Sequence, residues 1–268
     1  MTAMAFRSFL DKIGQAASGR AATREAGPPT SSNGASSMHL FWTLRGYPFV
    51  ELRATIEVIQ APTVPKLNFW ALQGSFEEDG VIKGGAHFGL QYHPEYPGAG
   101  AVNWGGYASE GGELDGSGSN LPSHLANVNT RNYRWVPGRA YRYRIYKVGY
   151  LPEVEHKWRG SITDLETGEE TVVRDLYVRA NFLVNPMVWT ESFGCCDDPP
   201  VAVRWYDLEA VDTNGAVEQA SVVTVNYQSW ADGGCTNTNC SMDGSAFVQR
   251  TNSSRTTGIG AQLTLMLP

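Results

Sequence analysis

The sequence is poor in cysteine, has no strongly basic cluster and contains no long apolar run. Its 268 residues hold four cysteines, Cys195, Cys196, Cys235 and Cys240, all in the last third of the chain. A small scaffold built on disulfides is therefore excluded. A zinc module is disfavoured: "CTNTNC" has ligand spacing, but an adjacent Cys-Cys pair is a poor second half. No apolar stretch approaches the roughly 20 residues of a membrane span, so no transmembrane segment is expected. Lysine and arginine number 21 against 27 aspartates and glutamates, a formal net charge of -6. The densest basic stretch, "RAYRYRIYK" at 139–147, alternates its charges like a solvated strand face. Nucleic-acid partners call for a basic footprint, so none is expected. Helical periodicity is missing after residue 37. Phosphate-loop and dinucleotide fingerprints are missing too, and the glycine-serine stretches form no strand-turn-helix elbow.

What the chain does have is glycine and aromatics: 29 glycines, eight tryptophans and 12 tyrosines. That mixture suits short strands, tight turns and aromatic surfaces. Residues 1–37 read separately. Phe6, Phe9, Leu10 and Ile13 recur at helical spacing and predict a short amphipathic helix, followed by "GPPTSSNGASS" as a flexible linker. The helix either docks on the rest of the chain or meets a protein partner or a membrane surface. From Met38 to Pro268 the pattern is strand after strand. In "FVELRATIEVIQ", Val50, Leu52, Ala54, Ile56 and Val58 face one way and Glu51, Arg53, Thr55 and Glu57 the other. This period of two marks a half-buried antiparallel strand. About a dozen such segments with no fixed-period repeat predict an all-β fold, a large two-sheet antiparallel jelly-roll sandwich preceded by the short helix. Residues 97–132 read as one long loop carrying "NWGGY".

The stretches "WVPGRAYRYRIYKV" and "WRGSITDLETGEET", with "HFGLQ" upstream and "VWTESFG" downstream, carry a further pattern over about residues 40–268. Together they resemble the concanavalin A-like lectin/glucanase superfamily, and within it bacterial members of unassigned function. The resemblance implies a concave sheet that cups a glycan or polysaccharide, which some members cleave and many only bind. The Glu-x-Asp-x-Glu strand of the superfamily's glucanases is absent, since Glu153/Glu155 and Asp207/Glu209 each lack a third acid.

Glu191, among Met187, Trp189 and Phe193, is the first candidate for a catalytic acid, because an apolar surround raises a carboxyl pKa. Glu155 and Asp207 are candidate partner carboxylates, as glycoside hydrolysis needs two flanking the bond. The competing reading of Glu191 is a rim carboxylate with an arginine or backbone partner. His87, Gln91 and His93 share one face of "HFGLQYH" and are candidate ligand contacts, with an ordinary solvated face as the alternative. His87 and His93 are separated by about 20 Å of strand, too far to share a metal ion unaided. Trp104, Tyr107 and Trp189 are candidate stacking platforms for a sugar ring, or simply anchors. No cofactor is required. Asp197 and Asp198, side by side in a turn, leave room for calcium.

The even cysteine count favours disulfides. Adjacent cysteines rarely bond to each other, so Cys195 or Cys196 is expected to reach Cys235 or Cys240 and pin a corner. The disulfide suggests an extracellular or cell-surface setting, whereas no standard signal peptide is visible. Three functions stand: a carbohydrate-binding protein, a glycan-cleaving hydrolase or lyase with Glu191 as acid, and a structural or surface-assembly protein. Whether the chain is an enzyme is left open.

Overall fold

The computed structural model describes residues 22–151 and 155–265. The alternating segments fold into sixteen strands: β1 (Ser36–Thr43), β2 (Phe49–Gln60), β3 (Asn68–Glu78), β4 (Val81–Tyr92), β5 (Gly100–Ala108), β6 (Thr130–Asn132), β7 (Ala140–Leu151), β8 (Glu155–Asp164), β9 (Glu170–Val178), β10 (Phe182–Ser192), β11 (Ala202–Asp212), β12 (Val217–Gln219), β13 (Val222–Tyr227), β14 (Asn239–Asp243), β15 (Ala246–Arg250) and β16 (Gln262–Thr264). Every pairing is antiparallel. One layer runs β16–β13–β1–β10–β3–β4–β5–β6, and the other β14–β15–β11–β2–β7–β8–β9 with β12 on β11. A single pairing of Leu183 with Phe49 stitches the two layers into one continuous sheet.

The layers pack as a sandwich because one side of each strand is apolar. From the first layer come Trp70, Phe76, Phe88 and Trp104; from the second, Tyr143, Trp158 and Trp205, all fully buried. Phe88 meets Tyr143 and Phe76 meets Trp158 with ring centroids 5.3 Å apart in both pairs. Each such ring removes on the order of 150–250 Å² from water, the dominant stabilising term of the core. One buried side-chain amide is threaded through this layer with its partners. Gln249 Oε1 accepts from Thr190 Oγ1 (2.8 Å) and Trp205 Nε1 (2.9 Å), and its Nε2 donates to Met38 O (2.9 Å). One amide thus ties the two layers together.

Tyr143 does something similar inside a ladder. Its hydroxyl accepts from Leu90 N (2.8 Å) and donates to Trp70 O (3.3 Å), standing between two residues that face each other on β3 and β4. Beside it, a Cβ on Gly89 would lie 1.8 Å from Trp70 O, so only glycine fits.

Several expectations are corrected. The stretch expected as a linker is bound to the domain: Arg24 N donates to Thr236 Oγ1 (2.9 Å), Gly27 N to Asp197 Oδ1 (2.9 Å) and Cys196 N to Gly27 O (2.7 Å), and Ser36 already opens β1. The polar composition that suggested flexibility supplies these backbone and side-chain partners. The helix expected over Phe6–Ile13 lies outside the described residues. Residues 97–132 are not one loop: after a 3-10 turn at Pro97–Ala99, they form β5, which adds a strand to β4. Its glycines disguised it, yet Gly106 fits because a Cβ there would sit 2.3 Å from Gly85 O.

Candidate functional site

The outward face of the first layer carries the candidate residues, and register fixes their neighbours. On β10, Val188 and Thr190 point into the core, so Met187, Trp189 and Glu191 point out. Glu191 stands opposite Ser37 of β1 on one side and Phe69 of β3 on the other. Phe69 in turn faces Gln91, Ala71 faces Gly89, and Gln73 faces His87 on β4. The row Ser37–Glu191–Phe69–Gln91 therefore crosses four strands, with the small Ala71 and Gly89 beside it.

Aromatics and imidazoles pack tightly here. Phe69 meets Trp189 at 4.9 Å and His87 at 5.4 Å, all near-perpendicular, and His87 meets Trp189 at 5.7 Å. Trp189 Nε1 donates to Gln73 Oε1 (2.9 Å). Trp189 is only 4% exposed, so its ring is a wall packed edge-on and offers no open stacking platform. Burial pushes the His39 and His87 imidazoles down to about 4. Each residue is half-buried overall, but the apolar surround governs the charge, and both are neutral at pH 7.

Glu191 is 7% exposed. Burial pushes its carboxyl up to about 7, against the opposing pull of Asn33, whose Nδ2 donates to Oε1 at 3.2 Å. Asn33 lies in the ordered approach to β1 and carries no sequence signal of its own. Gln91, 6% exposed, has an Oε1 that is buried and without a hydrogen-bond partner. The face thus offers a carboxyl that is half protonated near neutrality and an unanswered amide acceptor.

The partner carboxylates are not assembled with Glu191. Asp207 lies on β11 in the other layer, outside the sandwich, where its Oδ2 accepts from Arg142 Nη2 (2.9 Å) and Thr55 Oγ1 (3.3 Å). The buried Trp70, Tyr143 and Trp205 layer separates it from Glu191. A bulge between Tyr206 and Glu209 turns it to the Arg142 side. Glu155 begins β8, also in the second layer, and its side chain lies outside the described residues. Hydrolysis by Glu191 with Asp207 is therefore overturned. The expectation for Trp104 is also corrected: it is 0% exposed and donates from Nε1 to Trp158 O (3.3 Å), because even positions of β5 face the core. Tyr107 is half-buried on the outward side of β5, opposite Gly85 and distant along the strand from Glu191. His93 follows β4, half-buried against Tyr96 at 4.7 Å.

The cysteine corner forms as Cys196–Cys235, with Cys195 half-buried and free and Cys240 buried and free. Asp197 Oδ1 and Asp198 Oδ2 accept from Gly27 N and Cys195 N, which explains both acids as turn caps. Among the described residues no cluster of three metal-ligating side chains occurs. Nor is any helix among them long and apolar enough to cross a membrane.

No protein-family profile matches the chain, and no curated protein sequence does. Solved structures with partial similarity include scytalido-glutamic peptidase with a peptide-based transition-state analogue (TM-score 0.43, 12% identity, 80% of this chain and 97% of that one). Another is SCP-B, a member of the Eqolisin family of peptidases, with a tripeptide (0.42, 12%, 80% and 97%). Overlap at this level transfers neither an activity nor a site. The resemblance to the concanavalin A-like superfamily has no counterpart among these matches.

Proposed function

We propose that the outward face of β10, β3 and β4 binds a neutral, hydroxyl-rich ligand, a glycan, with Glu191 and Gln91 as its polar contacts. The observation that carries this reading is the pairing of a buried, protonatable carboxyl with a buried amide oxygen that nothing answers. A sugar hydroxyl both donates and accepts. Separate hydroxyls of one sugar can donate to Gln91 Oε1 and accept the Glu191 proton across the intervening Phe69, so each buried group gains a partner. Ala71 and Gly89 are the small residues beside the row, and Phe69 provides an apolar edge. Neutral His39 and His87 add no charge to repel or attract ions. The concanavalin A-like character implied by the sequence agrees with this ligand class and with an exported protein, as does the disulfide.

The test is a glycan array with wild type, Glu191→Gln and Gln91→Ala, each hit being incubated overnight and checked for product. The expected result is saturable binding by wild type and a loss of about tenfold or more in Gln91→Ala. Absence of binding to every glycan contradicts the proposal for the sugars tested.

A second reading has one observation in its favour. A carboxyl with its pKa near 7 is tuned for general acid–base work at neutral pH. Product formed by wild type and none by Glu191→Gln would make the site catalytic, working with a single carboxyl and not with an acid pair.

A further inference from the structure

A second site lies at the opposite edge of the sandwich, around Arg174. Buried arginines in folded proteins are paired, because an unpaired guanidinium removed from water carries a large desolvation cost. Arg174 is 3% exposed and makes no salt bridge among the described residues. Among the described residues its one hydrogen bond runs from Nη1 to the neutral Asn129 Oδ1 (2.5 Å). Its Nε is buried without a partner, and its Nη2 donates to no group among the described residues.

The surroundings leave this charge unanswered by construction. Arg174 pairs with Gly160 next to a bulge that shifts the β8–β9 register. The segment 115–117 closes over the edge of β9: Tyr177 N donates to Asp115 O (2.9 Å) and Ser117 N to Asp175 O (2.8 Å). Gly116 is required there, since a Cβ would lie 2.3 Å from the backbone Asp175 O, and equally close to Arg174 Nη2. A cleft of about 180 Å³ runs along the same edge of β9, lined by Ser117, Gly118, Ser119, Asn120, Arg159 and Arg174 together with Val172, Val173 and Asp175.

The acidic groups nearby are already engaged or distant. Asp175 is held by Arg159 through both oxygens, at 2.8 and 3.1 Å. Glu113 reaches Arg174 only through Asn129, which donates to Glu113 Oε2 (3.2 Å). Burial lowers the Arg174 pKa and Arg131 adds to this, while Glu113 and Asp115 favour the charged guanidinium. Ser119 lines the cleft, and its Oγ accepts from Leu121 N (3.2 Å), which leaves the hydroxyl proton uncommitted by that bond.

We infer that this cleft is an anion site in which Arg174, with Ser119 and Asn120, takes an oxyanion group: a phosphate, a sulfate or a carboxylate. Planar guanidinium groups pair with such oxyanions in two-point geometry. The volume admits one such group and a few attached atoms. The site is independent of the Glu191 face.

The probes are sodium sulfate, phosphate and acetate, each compared with sodium chloride at matched ionic strength, with the whole chain as sample. Thermal unfolding is the readout. Wild type is expected to show a saturable rise of about 2 °C or more with at least one oxyanion. Response to sulfate and phosphate alone identifies a tetrahedral anion, and response to acetate identifies a carboxylate. Arg174→Gln should lose the response. Because that variant can fail to fold, Ser119→Asp is the second arm: its own carboxylate fills the cleft, so it should melt higher than wild type in chloride and ignore added oxyanions. Equal Tm in all salts for wild type overturns the inference, and so does an oxyanion response retained by Ser119→Asp.

Discussion

Glu191 concentrates the chemistry of the first site in a single proton. Its pKa is raised in the folded chain from 4.5 to about 7, so the folded state favours the protonated form. The sign follows: this contribution is fully present below the unfolded pKa and is lost as pH rises through 7. His39 and His87 act oppositely, their neutral forms being favoured, so their contribution is present above 6.5 and is lost as pH falls toward 4. The profile of wild type alone mixes these signs. The difference between wild type and Glu191→Gln isolates the carboxyl. From pH 5 to pH 8 that difference should shift by about 3 kcal/mol in favour of the glutamine protein, read from urea unfolding at each pH. A pH-independent difference would mean that Glu191 titrates normally. Burial among Met187 and Trp189 was legible from the period of β10. The Asn33 contact was not, since nothing in "SSNGASS" marks a residue that reaches a strand 158 positions away.

Among the elements, the pair β3–β4 holds the site in shape. Tyr143 reaches across the sandwich and takes the place of a direct ladder bond between Leu90 and Trp70. Tyr143→Phe leaves the buried Leu90 N–H without its acceptor, and should cost about 1–3 kcal/mol in unfolding free energy. Hydrogen exchange at the Leu90 amide should accelerate in the same variant. Gly89→Ala should cost about 2–3 kcal/mol or prevent folding, since its Cβ meets strand backbone that cannot yield as a side chain does. A melting temperature unchanged in either variant would contradict this account of the pair. Strand identity was legible here, as the alternation in β2 and β7 shows, because one face meets apolar core and the other water. Which alternate face meets the second layer was not legible for β5. "GAVNWGGYA" places a tryptophan on one side and a tyrosine on the other, and only packing against Trp158 decides that Trp104 is the core residue.

At the scale of the whole molecule, two sheets share one continuous ladder, and the disulfide links the segment after β10 to the segment before β14. Closing the 39-residue separation removes chain entropy from the unfolded state, about 4 kcal/mol in that treatment. Cys196→Ala with Cys235→Ala should lower the urea-unfolding free energy by that order while leaving ligand binding at the Glu191 face intact. The cross-link was legible from cysteine spacing down to a choice among pairs. The placement of Asp207 was not, because carboxylates two residues apart announce a shared face but not which layer of a sandwich the strand joins. Strand order is set by long-range packing, and that is where the expected acid pair failed.

The central claim is that Glu191 sits as a neutral-capable carboxyl in a buried polar site. It is tested most directly by following the Glu191 side-chain carboxyl by carbon NMR from pH 4 to 9, using Glu191→Gln to assign the resonance. The account predicts a midpoint near 7. A midpoint near the ordinary 4.5 would show a solvated carboxylate, and would contradict both the binding geometry and the catalytic reading built on it.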